Sequence, residues 1–397
     1  MSGMSRTVIW TISVVVACFF LAWGFNRYRM KKNAPAETGA QKNILTPANP
    51  GGSWPQFHGN QAQSGYATGE LPDRLTVVWR FKAADEVKSS PAVVNGIVYV
   101  GSSDKHIYAI DLKTGKQVWS KVLDDEIEAS PTVIDNVVYI GTLAGTFYAL
   151  NTESGAEQWK FGTGNKIIGG ANWFRDKENH LNILVGSYDS ILYCLDAGTG
   201  KPLWKYATGN FINGSPAVND KYCAFGGCDA VIHIINISDG TKSGEIDTGA
   251  YIAGSAAIRG DYVYVGNYDG EVLKASLSTH EVVWRYRIAK GPFVSSPAVT
   301  DDAVVTGGGD MNVHCIDIKT GKARWTYTTL DAVDSSPVIV GDRVLAGSED
   351  GRLYMLNLPD GKLVWSYETG PSITSSPAVS NGMIVLGCDD GTVYCFK

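Results

Sequence analysis

Histidine is scarce in this chain, and adjacent cysteines, C-x-x-C pairs and any excess of positive charge are missing. The six histidines, His58, His106, His180, His233, His280 and His314, stand apart, none at the spacing of a metal motif. Cys18, Cys194, Cys223, Cys228, Cys315, Cys388 and Cys395 show no zinc spacing either, and they leave the redox compartment unread. Net charge is −6. Residues 1–50 hold six basic residues and one acidic residue, so the other 28 basic and 39 acidic residues give the body −11. Such a body argues against nucleic acid as main partner, because phosphates need Lys and Arg. Gly307-Gly308-Gly309-Asp310 is no phosphate loop, since neither a helical pattern nor Lys-Ser/Thr follows it. Long apolar stretches of helical period are few beyond the N-terminus, so an all-β chain is expected.

What the chain has is a beat. Trp79, Trp119, Trp159, Trp204, Trp284, Trp325 and Trp365 follow one another at gaps of 40, 40, 45, 80, 41 and 40 residues, with Gly244 at the skipped position. A period near 40 with a fixed aromatic marks a β-propeller. Within one period, Ala92–Val94, the turn Asn95-Gly96, Ile97–Val100, Ile107–Ile110 and a final segment carrying Trp119 read as four antiparallel strands. A small-residue motif opens each period: Ser90-Pro91, Ser130-Pro131, Gly170-Ala171, Ser215-Pro216, Ser255-Ala256, Ser296-Pro297, Ser336-Pro337 and Ser376-Pro377. A turn glycine recurs from Gly101 to Gly387, and in seven of eight repeats an aspartate follows it by three residues. Asp caps tight turns, so these carboxylates read as turn residues rather than a ring of cation ligands.

Leu75–Lys82 reads as a fourth strand without its first three, and Ser376–Lys397 as three strands without a fourth. Joined, they complete an eighth blade and close the ring. The expectation is an eight-bladed propeller over 53–397, monomeric, with each Trp docking its neighbouring blade and burying about 150–250 Å². Cys194, Cys315 and Cys395 occupy the third-strand core position of Ala109. Cys223 and Cys228 are placed to meet across a hairpin, which leaves their disulfide state open.

Val8–Phe25 is an uncharged apolar run of 18 residues followed by the basic stop Asn26–Lys32. As a helix it would span about 27 Å, near the thickness of a bilayer core. Residues 1–32 are therefore read as a membrane anchor (helix 8–25) and 33–52 as a flexible linker. Two alternatives stand beside this. Val15-Val16-Ala17-Cys18 has the form of a lipoprotein box, with Cys18 as the anchor. The charges after the helix also favour a propeller facing the cytoplasm, against the export adopted here.

Ala109–Trp119, with Asp111, Thr114, Gly115 and Lys116, resembles the tryptophan-docking motif of pyrroloquinoline-quinone (PQQ) repeats, as do Leu195–Trp204 and Ile316–Trp325. Trp54-Pro55-Gln56-Phe57-His58-Gly59-Asn60 is similar to the opening of bacterial PQQ-like propellers. Within that superfamily, the length, blade count and N-terminal address are most similar to BamB-type subunits of the outer-membrane β-barrel assembly machinery. The resemblance implies a non-catalytic scaffold in the cell envelope, with envelope proteins and outer-membrane assembly components as partners. Quinoprotein dehydrogenases share the repeat, so a PQQ-and-calcium enzyme or a sugar or quinone sensor is the alternative. Their adjacent-cysteine disulfide and their Glu/Asn/Asp set find no match here, and no catalytic, cofactor or metal residues are assigned.

A propeller's partner face is expected where loops enter the innermost strands. Three residues before each motif Pro or Ala stand Lys88, Glu128, Ile168, Asn213, Ala253, Val294, Asp334 and Thr374. Two residues earlier stand Glu86, Glu126, Lys166, Phe211, Tyr251, Gly291 or Pro292, Ala332 and Ser372. These vary while the frame repeats, as a binding face would. The candidate partner residues are Glu86, Lys88, Glu126, Glu128, Lys166, Phe211, Asn213, Tyr251 and Asp334. The insertion Arg175–His180 is expected on the opposite face.

Overall fold

A computed structural model describes residues 52–397. The expected helix at 8–25, Cys18 and the linker up to residue 51 lie outside them. No described helix is long and apolar enough to cross a membrane. The chain forms eight antiparallel sheets, each read from axis to rim as strands one to four. Blade one comprises Ala92–Val94, Ile97–Gly101, His106–Asp111 and Gln117–Val122, close to the strands expected from its sequence. Blade seven gains a fifth strand, Tyr66–Ala67, parallel to Val338–Val340. Innermost strands are two to four residues long, and the strands beside them are buried along nearly their whole length. The core lies between blades: one cluster joins Tyr139, Phe147 and Ala149 of blade two to Ile183, Val185 and Leu195 of blade three.

Closure takes the expected form. Val77–Lys82 pairs with Thr392–Phe396 as the outer strand of blade eight. Thr76 and Lys397 add two backbone hydrogen bonds of 2.8 and 2.9 Å.

The periodic tryptophans clamp consecutive blades. Trp79, Trp119, Trp159, Trp204, Trp284 and Trp325 each lie over a left-handed glycine of the following blade: Gly115, Gly155, Gly200, Gly240, Gly321 and Gly361. A Cβ at Gly115 would fall 2.6 Å from Trp79, so that position excludes a side chain on contact as well as backbone grounds. At five of these junctions the indole Nε1 donates to the carbonyl three residues before the glycine, from Trp79 to Leu112 at 2.7 Å and from Trp119 to Thr152 at 2.8 Å. Trp365 sits at the seam and packs edge-on against Phe396. Trp79 and Trp119 are buried; the remaining five keep part of their surface.

Motif serines bolt the blades together at the axis. The N–H groups of Ser215, Ser255, Ser296, Ser336 and Ser376 each donate to the hydroxyl of the next blade's serine, at 2.8–2.9 Å. The opening segment then lines the inner edge of the ring. Carbonyls of Trp54, Pro55, Gln61, Ala62, Ser64 and Gly65 accept from Val93, Val133, Val218, Ile258, Val299 and Ile339. Gln56 bonds Asn172 of blade three, and Gly52 accepts from Ser380 of blade eight. Every blade is touched, and inner-edge groups that would otherwise lack partners are satisfied.

Candidate functional site: the channel mouth

All eight ring positions, Lys88, Glu128, Ile168, Asn213, Ala253, Val294, Asp334 and Thr374, line one central cavity of about 170 Å³, together with the motif serines and Phe57 of the opening segment. Around it the frame repeats to the single hydrogen bond. Carbonyls of Glu86, Glu126, Lys166, Phe211, Tyr251, Pro292, Ala332 and Ser372 accept from Ser103, Leu143, Tyr188, Cys228, Tyr268, Gly309, Glu349 and Asp389. The register left open between Gly291 and Pro292 thus falls on Pro292. All nine candidate residues share this face.

Its side chains divide the mouth in two. Over blades three to seven exposed apolar side chains stand beside Lys166 and Lys290. Phe211, Tyr251, Tyr268, Met311 and Leu330 are exposed there, and the remaining exposed large apolar side chains among the described residues lie on outer strands. Tyr188 stacks on Phe211 at 4.9 Å, and Lys166 Nζ lies 4.4 Å from the Tyr188 ring. From blade seven through blade two the mouth is acidic, with Asp331, Asp334, Glu349, Asp389, Glu86, Glu126 and Glu128. Lys88 sits among them, 2.6 Å from Glu86 and 4.0 Å from Glu128. Burial raises both Asp334 and Glu349, whose carboxyls meet; partial desolvation and the neighbouring charge push Glu349 up to about 7. Asn213 Oδ1 is buried at the rim without a hydrogen-bond partner.

Tyr188, Tyr268, Glu349 and Asp389 were missed from sequence. They stand two residues after the turn glycines Gly186, Gly266, Gly347 and Gly387. Reading that one column across the repeats would have found them.

The repeated aspartates cap turns and reach across blades. Asp104 accepts from the His106 and Ala84 N–H groups and from the Tyr108 hydroxyl, and Asp189 repeats the pattern with Ile191, Gly164 and Tyr193. In blades four and six a histidine replaces that tyrosine. His233 pairs with Asp229 and Tyr206, and His314 with Asp310 and Tyr286. Arg175–His180 forms the hairpin between the first two strands of blade three, away from the mouth. Its Asp176, Glu178 and His180 are the described side chains close enough to share an ion, but Asp176 already caps the hairpin through the N–H groups of Glu178 and His180. Cys223 and Cys228 are both free. Cys223 lies inside its sheet opposite Val218, whereas Cys228 lies in the turn that follows, against Asn213. Cys194, Cys315 and Cys395 are buried at the expected core position, which pushes their thiols upward.

Fold and mouth define an eight-bladed propeller of PQQ-type repeats whose inner channel is lined by its own N-terminal segment. The chain belongs to the family described as outer membrane protein assembly factor BamB, whose model matches residues 73–171 and 229–396. The intervening stretch holds Tyr188, Phe211 and Asn213. BamB from Moraxella catarrhalis is 21% identical at a TM-score of 0.70, over 82% of this chain and 98% of that one. Quinohemoprotein alcohol dehydrogenase from Comamonas testosteroni is 14% identical at 0.75, over 87% and 80%. A europium-containing methanol dehydrogenase is 14% identical at 0.73, over 89% and 99%. At these identities the likeness is one of fold. A search of curated protein sequences gave no match.

Proposed function

We propose that this protein is a non-catalytic scaffold that docks another envelope protein on the channel-mouth face, in outer-membrane protein assembly, tethered through residues 8–25. The observation carrying this reading is an eightfold frame whose mouth is asymmetric, with exposed aromatics on one side and carboxylates on the other. A rigid ring with variable loops and clustered exposed Phe and Tyr suits protein anchoring.

The quinone reading fits these residues poorly. PQQ carries three carboxylates, and the cavity offers one lysine, already paired with Glu86, beside Glu128 and Asp334. Small serine and glycine residues supply most of the remaining lining. Charge repulsion opposes such a ligand there.

The test is site-specific photo-crosslinking from position Tyr251 in intact cells, with protease accessibility before and after lysis. A crosslink to an envelope protein, lost in Phe211→Ser, supports the proposal. Stoichiometric PQQ uptake with alcohol-dependent dye reduction overturns it, as does a propeller digested only after the inner membrane is breached.

A further inference from the structure

We propose that the segment docked at the mouth is basic as well as apolar: an extended stretch of the partner that lays an apolar side chain against Phe211 and Tyr251 and points a lysine or arginine toward Asp334 and Glu349. This rests on the docking reading of the same face and specifies its chemistry.

Three independent features converge on it. First, exposed apolar side chains recur around half the rim, at Phe211, Tyr251, Tyr268, Met311 and Leu330. Aromatic side chains held by a rigid frame give large contact area at small entropic cost. Second, the facing half is rich in carboxylates. Lys88 neutralises Glu86 and leans toward Glu128, but no described cation is paired with Asp334 or Glu349. With no cation at hand, ionising both of these touching carboxyls sets like charges together, which an incoming ammonium or guanidinium would relieve. Third, Asn213 Oδ1, on the cavity wall two residues from Phe211, is a buried acceptor without a donor. It calls for an N–H group, which a peptide backbone or a basic side chain supplies. An acidic or purely apolar segment would leave the carboxyl pair unanswered.

The probe is a short fluorescent peptide alternating leucine and lysine, compared with one in which glutamate replaces lysine, titrated by anisotropy against the full-length chain. The lysine peptide is expected to bind and to weaken steeply with salt. Asp334→Asn with Glu349→Gln should weaken it about tenfold, the weight of two partly exposed ion pairs, and Phe211→Ser with Tyr251→Ser should do so independently. The inference is overturned if the glutamate peptide binds as well, if neither peptide binds, or if the carboxyl variant binds the lysine peptide unchanged. A Tyr251 crosslink in cells that survives the carboxyl changes would sink the basic chemistry while the docking reading stands. Absence of any crosslink sinks the docking reading itself.

Discussion

His280 fills the space that a side chain at Gly244 would occupy: a Cβ built on Gly244 falls 2.4 Å from its ring. At six other blade junctions a tryptophan sits over a glycine. Here the glycine has moved to the tryptophan's strand, and the bulky ring stands at the turn, with φ 59. The junction keeps its filling and reverses its donor.

This inversion predicts strong coupling. Gly244→Trp alone should destabilise by collision with His280, and His280→Gly alone by leaving a void. The double variant restores the pattern of the other junctions and removes a left-handed histidine, itself worth about 1 kcal/mol. A double-mutant cycle by urea unfolding should give a coupling of about 1–3 kcal/mol. Additive losses would show that the two positions do not share one cavity.

Trp79→Ala and Trp119→Ala should each cost about 3–5 kcal/mol, as buried aromatic truncations do. Trp79 also belongs to the strand that closes the ring, so its loss should expose residues 76–82 to protease before global unfolding. Equal proteolysis of both variants would argue against a separate seam.

His58 is buried against Phe57, and burial lowers its pKa from 6.5 to about 4. The unfolded chain takes up this proton first, so the stability His58 contributes is present above 6.5 and lost as pH falls toward about 4. His58→Gln should flatten unfolding midpoints across that window. An unchanged acid slope in the variant would place the lost stability elsewhere.

Glu349 behaves in the opposite sense. Its pKa rises from 4.5 to about 7, so its contribution is present below 4.5 and lost as pH climbs through 7. Glu349→Gln should therefore gain on the parent as pH rises, read from melting curves. A parent whose stability does not decline over this range would contradict the raised carboxyl.

Phe211→Ser and Tyr251→Ser should leave the melting temperature nearly unchanged, within the roughly 0.5 kcal/mol typical of surface positions. A large loss would make them core residues rather than anchors.

The blades, their closure and their tryptophan docking were legible because each is a local pattern repeated at fixed spacing. Gly115 and Trp79 could be aligned by counting. The path of Trp54–Ala67 could not, because its partners are inner-strand N–H groups contributed once per blade, and no local pattern records which carbonyl meets Val133 or Val299. At the mouth, counting put Phe211, Tyr251 and Asp334 on one face. It left out Tyr188 and Glu349, which enter from the neighbouring turn column. The Cys223–Cys228 disulfide was left open for a related reason: hairpin spacing says nothing of the turn that carries Cys228 away.

The seam joins Thr76 to Lys397 across 321 residues. On a ribosome, the strand that finishes the last blade emerges before the other three and must wait, unpaired, until Thr392–Phe396 has been made. The opening segment waits too, since its sites are supplied one blade at a time. Such a ring cannot close before its eighth blade has been made, and pairing between segments so far apart in sequence is slow.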